Sequence, residues 1–561
     1  MTSAAEVERE ARAALARGDE ALACRQLESL LLAHPECYAQ RCLLGLIHQQ
    51  AGRLAEARVA YEAARAIAPP SYELQYNLGQ VYLGLGEPSL AATAFVAALA
   101  VAPDDLPALD ALAVAYQAAG DLNAALDCFE RLLRRDPKHV AAYVGMAGVF
   151  SDHGWSDDAR RSLETALSIA PDDLSALNLL GILHLRAGDY SMAASLFERA
   201  IAVCPGDAGL LRNLAMSRAA QGDHAACGAL CDAALALAPD DPDVHFTRAS
   251  HLLLTGQLAE GWREYEYRWA TREGAGAVKR PPSRLPRWSG EALVRAESAL
   301  LVYSEQGFGD AIQFARYLPL ATSRFGRVGF VVKPPLRALF ARSFAGEVEV
   351  FDAPPDERAW THHCPLLSLP LAFGTTLATI PAEVPYLTPC PTAVAQWRAR
   401  LASLPGAKVG VNWTTGKRAV HKQSFELALR ELAPLFALPG ISWVSLSKEP
   451  LGEADAATLA AWSVHDWRDE LVDFDATAAL VAGLDLVISV DTAVVHLAGA
   501  MARPTWLLNR AESEWRWLLD RDDSPWYPTM RLFRQQVPRC WDVPIAAVRD
   551  ALASQFSEGD I

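Results

Sequence analysis

The sequence predicts an α-helical repeat array followed by two α/β domains with parallel sheets, and three observations carry that prediction. Pro35, Pro69, Pro103, Pro137, Pro171, Pro205 and Pro239 recur at a fixed step of 34 residues. Gly18, Gly52, Gly86, Gly120, Gly154, Gly188, Gly222 and Gly256 keep the same step. The period stops after about Thr271, and beyond Ala299 apolar strands, glycine turns and amphipathic helices alternate instead. A chain of 561 residues, 51% of them hydrophobic, is long enough for several cores of this kind.

Within the unit YELQYNLGQVYLGLGEPSLAATAFVAALAVAPDD, Leu78, Gly79 and Tyr82 form one apolar helical face and Ala91, Phe95 and Ala98 a second. The glycine between them suits a tight turn, and Pro103 ends the second helix. This pattern resembles the tetratricopeptide repeat over residues 1–273, in about eight units. Stacked pairs share one core, so an α-solenoid with a concave inner surface is expected. Its Leu, Ala, Phe and Tyr positions are packing residues. The last unit, GQLAEGWREYEYRW, puts Gly261 and Arg268 where the others place small alanines, and crowds in Trp262, Tyr265, Tyr267 and Trp269. That reads as a capping repeat whose aromatics cover the next domain.

Residues 274–298, rich in Gly, Pro-Pro and basic side chains, read as a linker. A strand then leads into Gly307 and Gly309, marking an N-terminal α/β domain over 299–390. After a Pro-rich break a second series, with AKVGVNW, ISWVSLS, DLVISV and PTWLLN as strands, marks a domain over 406–540, and 541–561 form a terminal helix and tail. Two such domains enclose a cleft, and ligands of open α/β sheets bind beyond the carboxyl ends of the strands.

The loops at those ends carry the chemistry. EQGFGD has glycines that let backbone approach a substrate, and Asp310 at a helix start, either a cap or a general base. DLVISVDTAVVH ends a strand in Asp491 and Thr492 and begins a helix carrying Ala493 and His496; a helix amino terminus with a hydroxyl suits a diphosphate. GVNWTTGKRAVHK supplies Thr414, Thr415 and Gly416, then Lys417, Arg418, His421 and Lys422, cations that can stabilise a phosphate leaving group. Asp473-Phe474-Asp475 spells a metal-binding DxD, but its place before a helix favours capping. Trp515, Trp517, Trp526 and Tyr527 either stack on a ligand or pack a domain interface.

EQGFGDAIQFARYLP and ISVDTAVVHLAGAMARPTWLL resemble the two signature loops of heptosyltransferase-like GT-B glycosyltransferases, and the repeats ahead of them resemble bacterial tetratricopeptide-repeat glycosyltransferases. The resemblance implies a GT-B fold of two Rossmann-like domains and metal-independent, inverting transfer from a nucleotide-sugar, with no cofactor. It places the acceptor-side base on Asp310. Donor contacts fall on Gly307, Gly309, Thr414, Thr415, Asp491, Thr492, Ala493 and His496, with Lys417 and Lys422 both candidates for the phosphate clamp. Ala493 stands where that group often has Gly. The terminal stretch VPIAAVRDALASQF corresponds to the GT-B helix that crosses back onto the first domain. The layout is also similar to O-GlcNAc transferase, implying a protein acceptor on the concave surface, although the asparagine ladder of that family appears only at Asn77 and Asn213. Other readings are transfer to a surface glycan or lipopolysaccharide-type acceptor, and a non-catalytic repeat scaffold.

Composition narrows the partners. A formal charge of -16 and no long Lys/Arg block argue against nucleic acid. The amino terminus lacks a signal-peptide core and no apolar run reaches membrane-span length, so a cytoplasmic protein is expected. Ten scattered cysteines suggest neither a disulfide framework nor a zinc site. Exposed helices of repeat arrays suit self-association, so a homo-oligomer is among the expected states. Asp310→Ala is expected to abolish transfer and spare the fold.

Overall fold

A computed structural model of the chain describes residues 4–67, 71–271, 281–414 and 427–556. These divide into two compact units, 1–183 and 184–561.

Among the described residues the repeats form sixteen α-helices, from α1 (Ala4–Ala16) to α16 (Leu258–Tyr265). Each helix pair turns on one of the eight periodic glycines, all with φ between +74° and +83°, a region that penalises any side chain. In the first unit α5 (Tyr72–Gly84) packs on α6 (Pro88–Val101). A Cβ on Gly79 would meet the Phe95 ring at 2.6 Å, which is why this face needs glycine. Many of the acidic residues are helix caps. Asp105 accepts from the Ala108 N–H at 2.8 Å to start α7 (Leu106–Ala119), and Asp121 does the same for α8 (Leu122–Arg135).

The second unit joins the last repeats to two parallel sheets. The first has the order β3-β2-β1-β4, with β1 Ala299–Tyr303, β2 Arg327–Val331, β3 Glu349–Phe351 and β4 His362–Pro365. The second comprises β5 Ala407–Asn412, β6 Ile441–Ser445, β7 His465–Asp466, β8 Leu486–Val490, β9 Thr505–Asn509 and β10 Met530–Arg534, in the order β10-β9-β8-β5-β6-β7. This is the doubly wound Rossmann order, and it reverses between β5 and β8. In the first sheet the reversal lies between β1 and β4. Both crevices therefore open beside the loops singled out in the sequence. Helical repeats followed by two parallel α/β sheets match a GT-B organisation.

Two expectations change. The described part of the linker is packed onto the first sheet: the Trp288 N–H donates to the His363 carbonyl at 2.9 Å, and its ring is buried against Phe325 and Phe373. The terminal helix, Asp542–Gln555, does not cross back. Its Ile545, Val548 and Leu552 join Val409, Phe436 and Phe533 in the core of the second sheet, which uses its apolar face locally.

The capping repeat behaves as its aromatics predict. Trp262 is buried edge-on against Phe314 and Trp515. Arg268, also buried, donates to Glu305 at 2.7 Å, to Ser368 at 2.8 Å and to Glu266 at 2.9 Å. Further docking comes from Tyr190, whose hydroxyl donates to Glu512, and from Arg539, which donates to the Ala187 carbonyl.

Candidate functional site

The first loop leaves β1 at Tyr303 and turns at Gly307 into the helix Phe308–Phe314. Asp310 lies in its first turn, where Oδ2 accepts from the Gly307 N–H at 2.8 Å. Its other oxygen accepts from Arg516, which stands on the loop after β9 in the second domain. Each carboxylate oxygen has two lone pairs, so these bonds leave Asp310 able to accept a proton.

Gly309 serves packing. A Cβ there would lie 2.9 Å from His496 Cδ2 and 3.5 Å from Ala493 Cα, so the missing side chain lets the two loop helices touch. The space expected to admit a substrate at Gly309 is filled by His496.

At the second crevice, Thr492 begins the helix Ala493–Ala500 and its hydroxyl accepts from the Val494 N–H at 3.3 Å. Asn412, at the end of β5, donates to that hydroxyl at 3.0 Å and to the Thr414 carbonyl at 3.3 Å, tying the two strands together across the topological switch point. Asp491 Oδ2 accepts from Trp517 Nε1 at 2.8 Å, and Oδ1 lies 3.9 Å from His496 Nε2. His496 Nδ1 sits 3.0 Å from the Tyr527 hydroxyl, and its ring stacks 5.4 Å from Trp517.

The electrostatics separate these groups. Burial, helped by the Glu514 charge, pushes Asp491 up to about 6 against the opposing Trp517 hydrogen bond and Arg516. Burial, then the charges of Arg516 and Arg316, hold His496 well below its ordinary value, so it is neutral near pH 7. Burial alone would weaken the Arg516 charge, but Asp310 and Glu514 outweigh it and raise its pKa. Arg516 also donates to Gln313 at 2.8 Å and Glu514 at 2.9 Å.

The fold thus gathers Asp310, Gly309, Asp491, Thr492, Ala493 and His496 into one interdomain site. Thr414 stands at its edge, while Thr415, Gly416, Lys417, Arg418, His421 and Lys422 lie outside the described residues. The DxD carboxylates are otherwise engaged: Asp473 caps the helix Phe474–Val481 through the Ala476 N–H at 2.8 Å, and Asp475 accepts two hydrogen bonds from Arg342. Trp515, Trp517, Trp526 and Tyr527 are buried packing residues.

Residues 471–534, which hold β8, Asp491–His496, β9 and Arg516, match the model described as glycosyltransferase family 9 (heptosyltransferase). Tetratricopeptide-repeat models match residues 8–72 and 178–242, and 48–115 and 116–183. The chain carries tetratricopeptide repeats and a glycosyltransferase family 9 domain. The chain is similar to Protein FlbA of Caulobacter vibrioides, 31% identical over 333 residues, 55% of this chain and 54% of FlbA, so the similarity spans about half the length of that relative. Among solved structures, a tetratricopeptide repeat protein from Parabacteroides merdae is 21% identical with a TM-score of 0.39, covering 43% of this chain and 96% of its own. TTC0263 of Thermus thermophilus, also a repeat protein, is 25% identical with a TM-score of 0.29, covering 33% and 100%.

Sequence reading missed Asn412 and Arg516. A single Asn closing an apolar strand was a usable signal for the first. Arg516 had none, because its partners Asp310 and Gln313 lie some 200 positions away.

Proposed function

We propose that this glycosyltransferase moves a sugar from a nucleotide-sugar donor to a hydroxyl or amide of a protein recruited by the repeats, with inversion at the anomeric carbon. The observation that carries the reading is the convergence of Asp310 from the first crevice with Asp491, Thr492 and His496 from the second. Asp310 takes the acceptor proton as the acceptor atom bonds to the anomeric carbon. The bond from that carbon to the diphosphate oxygen breaks, and its electron pair leaves with the nucleotide. Positive potential at the start of the Ala493–Ala500 helix and the cations of the loop holding Lys417 and Lys422 stabilise the leaving group. His496, kept neutral, orients the donor and adds no charge. Arg516 aims the Asp310 carboxylate and spans the two domains. Gly307 and Ala493 shape the wall of this donor site, with Thr414 at its rim, and Gly309 lets the two loop helices meet behind it. A protein acceptor is consistent with repeats docked directly onto the catalytic half through Arg268 and Tyr190.

Release of nucleoside diphosphate from UDP-, GDP-, ADP- and dTDP-linked sugars tests this reading. One donor should be turned over by the wild type and at least a hundredfold more slowly by Asp310→Asn, within the usual range for loss of a general base. Equal rates would remove Asp310 as the base. The heptosyltransferase match favours a second reading, in which the acceptor is a glycan; sugar recovered on a polysaccharide and on no protein would select it.

A further inference from the structure

From residue 66 to residue 130 the chain holds eight Asp or Glu and no Lys or Arg. Several of these carboxylates have local work: Asp105 and Asp121 cap helices, Glu87 pairs with Arg58, and Asp104 pairs with Arg135. Asp110 differs. It stands on α7, partly buried, and makes no ion pair with Lys or Arg among the described residues. It lines a groove of about 450 Å³ together with Tyr76 and Leu83 of α5, Leu106 and Val114 of α7, and His139. His139 caps the helix Val140–Asp152, its Nδ1 accepting from the Ala142 N–H at 3.2 Å. Val114, 45% exposed, leaves an apolar wall facing solvent beside the carboxylate.

A carboxylate without a Lys or Arg partner among the described residues, set in an apolar wall within a stretch devoid of Lys and Arg, is complementary to an aliphatic stem ending in a positive charge. We propose that this groove binds a peptide partner through a Lys or Arg side chain, the stem lying along Leu83, Leu106 and Val114 and the charged head meeting Asp110. The groove is larger than one side chain and leaves room for flanking residues. Burial raises the Asp110 pKa, against the opposing pull of His139 in the same groove. This deepens the protein-acceptor reading, and rests on it only for the peptide being the acceptor.

The test is fluorescence anisotropy of the full chain with four labelled pools of 12-residue peptides whose central residue is fixed as Lys, Arg, norleucine or Glu. The Lys and Arg pools should bind at least tenfold better than norleucine, and Glu worst. Asp110→Asn, which breaks no Lys or Arg ion pair among the described residues and should melt like the wild type, should erase the preference; Val114→Asn should weaken both cationic pools. No cationic preference, or one unchanged in Asp110→Asn, overturns the proposal. A preference that Asp110→Asn erases, with no sugar transferred to the bound peptides by a chain that turns over its donor, upholds the groove and overturns the acceptor reading instead.

Discussion

Arg516 donates to the Asp310 carboxylate across the interdomain crevice, and the same guanidinium holds Gln313 and Glu514. One buried cation thus joins the helix after β1 to the loop after β9. Asp310 is therefore both a helix cap and half of a buried ion pair, which changes what its removal does.

Asp310→Ala is expected to cost stability as well as activity, contrary to the expectation from sequence that it spares the fold. It leaves the buried Arg516 with Glu514 as its remaining carboxylate partner, a loss of about 1–3 kcal/mol for a charged donor deprived of one acceptor. Urea unfolding should show this drop for Asp310→Ala and a smaller one for Asp310→Asn, which keeps an acceptor oxygen. Equal stability of all three forms would mean the pair is not made in solution.

Gly309→Ala should destabilise by about 1–3 kcal/mol, because its Cβ would press on a His496 ring already held by Tyr527 and Trp517. A melting temperature at or above that of the wild type would contradict the close helix contact.

Arg268 and Glu305 give a prediction with a pH sign. Burial pushes Glu305 up to about 7 even with Arg268 beside it. A carboxyl whose folded pKa lies above its unfolded value gains stability as pH falls through that folded pKa. Arg268→Leu removes the partner, so its stability deficit should be largest near pH 8 and shrink toward pH 5. Adding Glu305→Gln should recover most of the loss at pH 8. A deficit independent of pH would mean that Glu305 is not left charged.

His496 has the opposite sign. Its folded pKa is depressed below 6.5, so the unfolded chain takes up a proton that the folded chain refuses, and stability falls as pH drops below about 6.5. Relative to His496→Asn, the wild type should lose about 1.4 kcal/mol per pH unit below that point. Comparison with the variant is needed because Asp491, raised to about 6, works in the other direction. Parallel stability curves for the two proteins would show that His496 titrates freely.

The repeats were fully legible because the turn glycines and closing prolines repeat with the helix pair, and each answers a local steric demand. The loops at Gly307–Asp310 and Asp491–His496 were legible for a related reason: strand, turn and helix follow one another within a dozen residues. Asp310, Asp491 and His496 could each be found in this way. What holds them was not legible. Arg516 and Trp517 reach the site from a loop of the second sheet, and only the packing of two separate sheets brings them there. The packed segment around Trp288 and the local docking of the Asp542–Gln555 helix are likewise tertiary choices, made by apolar faces that could serve either neighbour.

Donor binding at the switch point of the second sheet is the central claim, and thermal unfolding of the full chain against UDP-, GDP-, ADP- and dTDP-linked sugars tests it most directly. One donor should stabilise selectively, by about 2.7 kcal/mol at a hundredfold excess over its dissociation constant. That shift should shrink in Thr492→Val, which removes the hydroxyl contacted by Asn412. A cooperative melt that no nucleotide-sugar moves, in wild type and variant alike, would contradict a donor site at Asp491, Thr492 and His496.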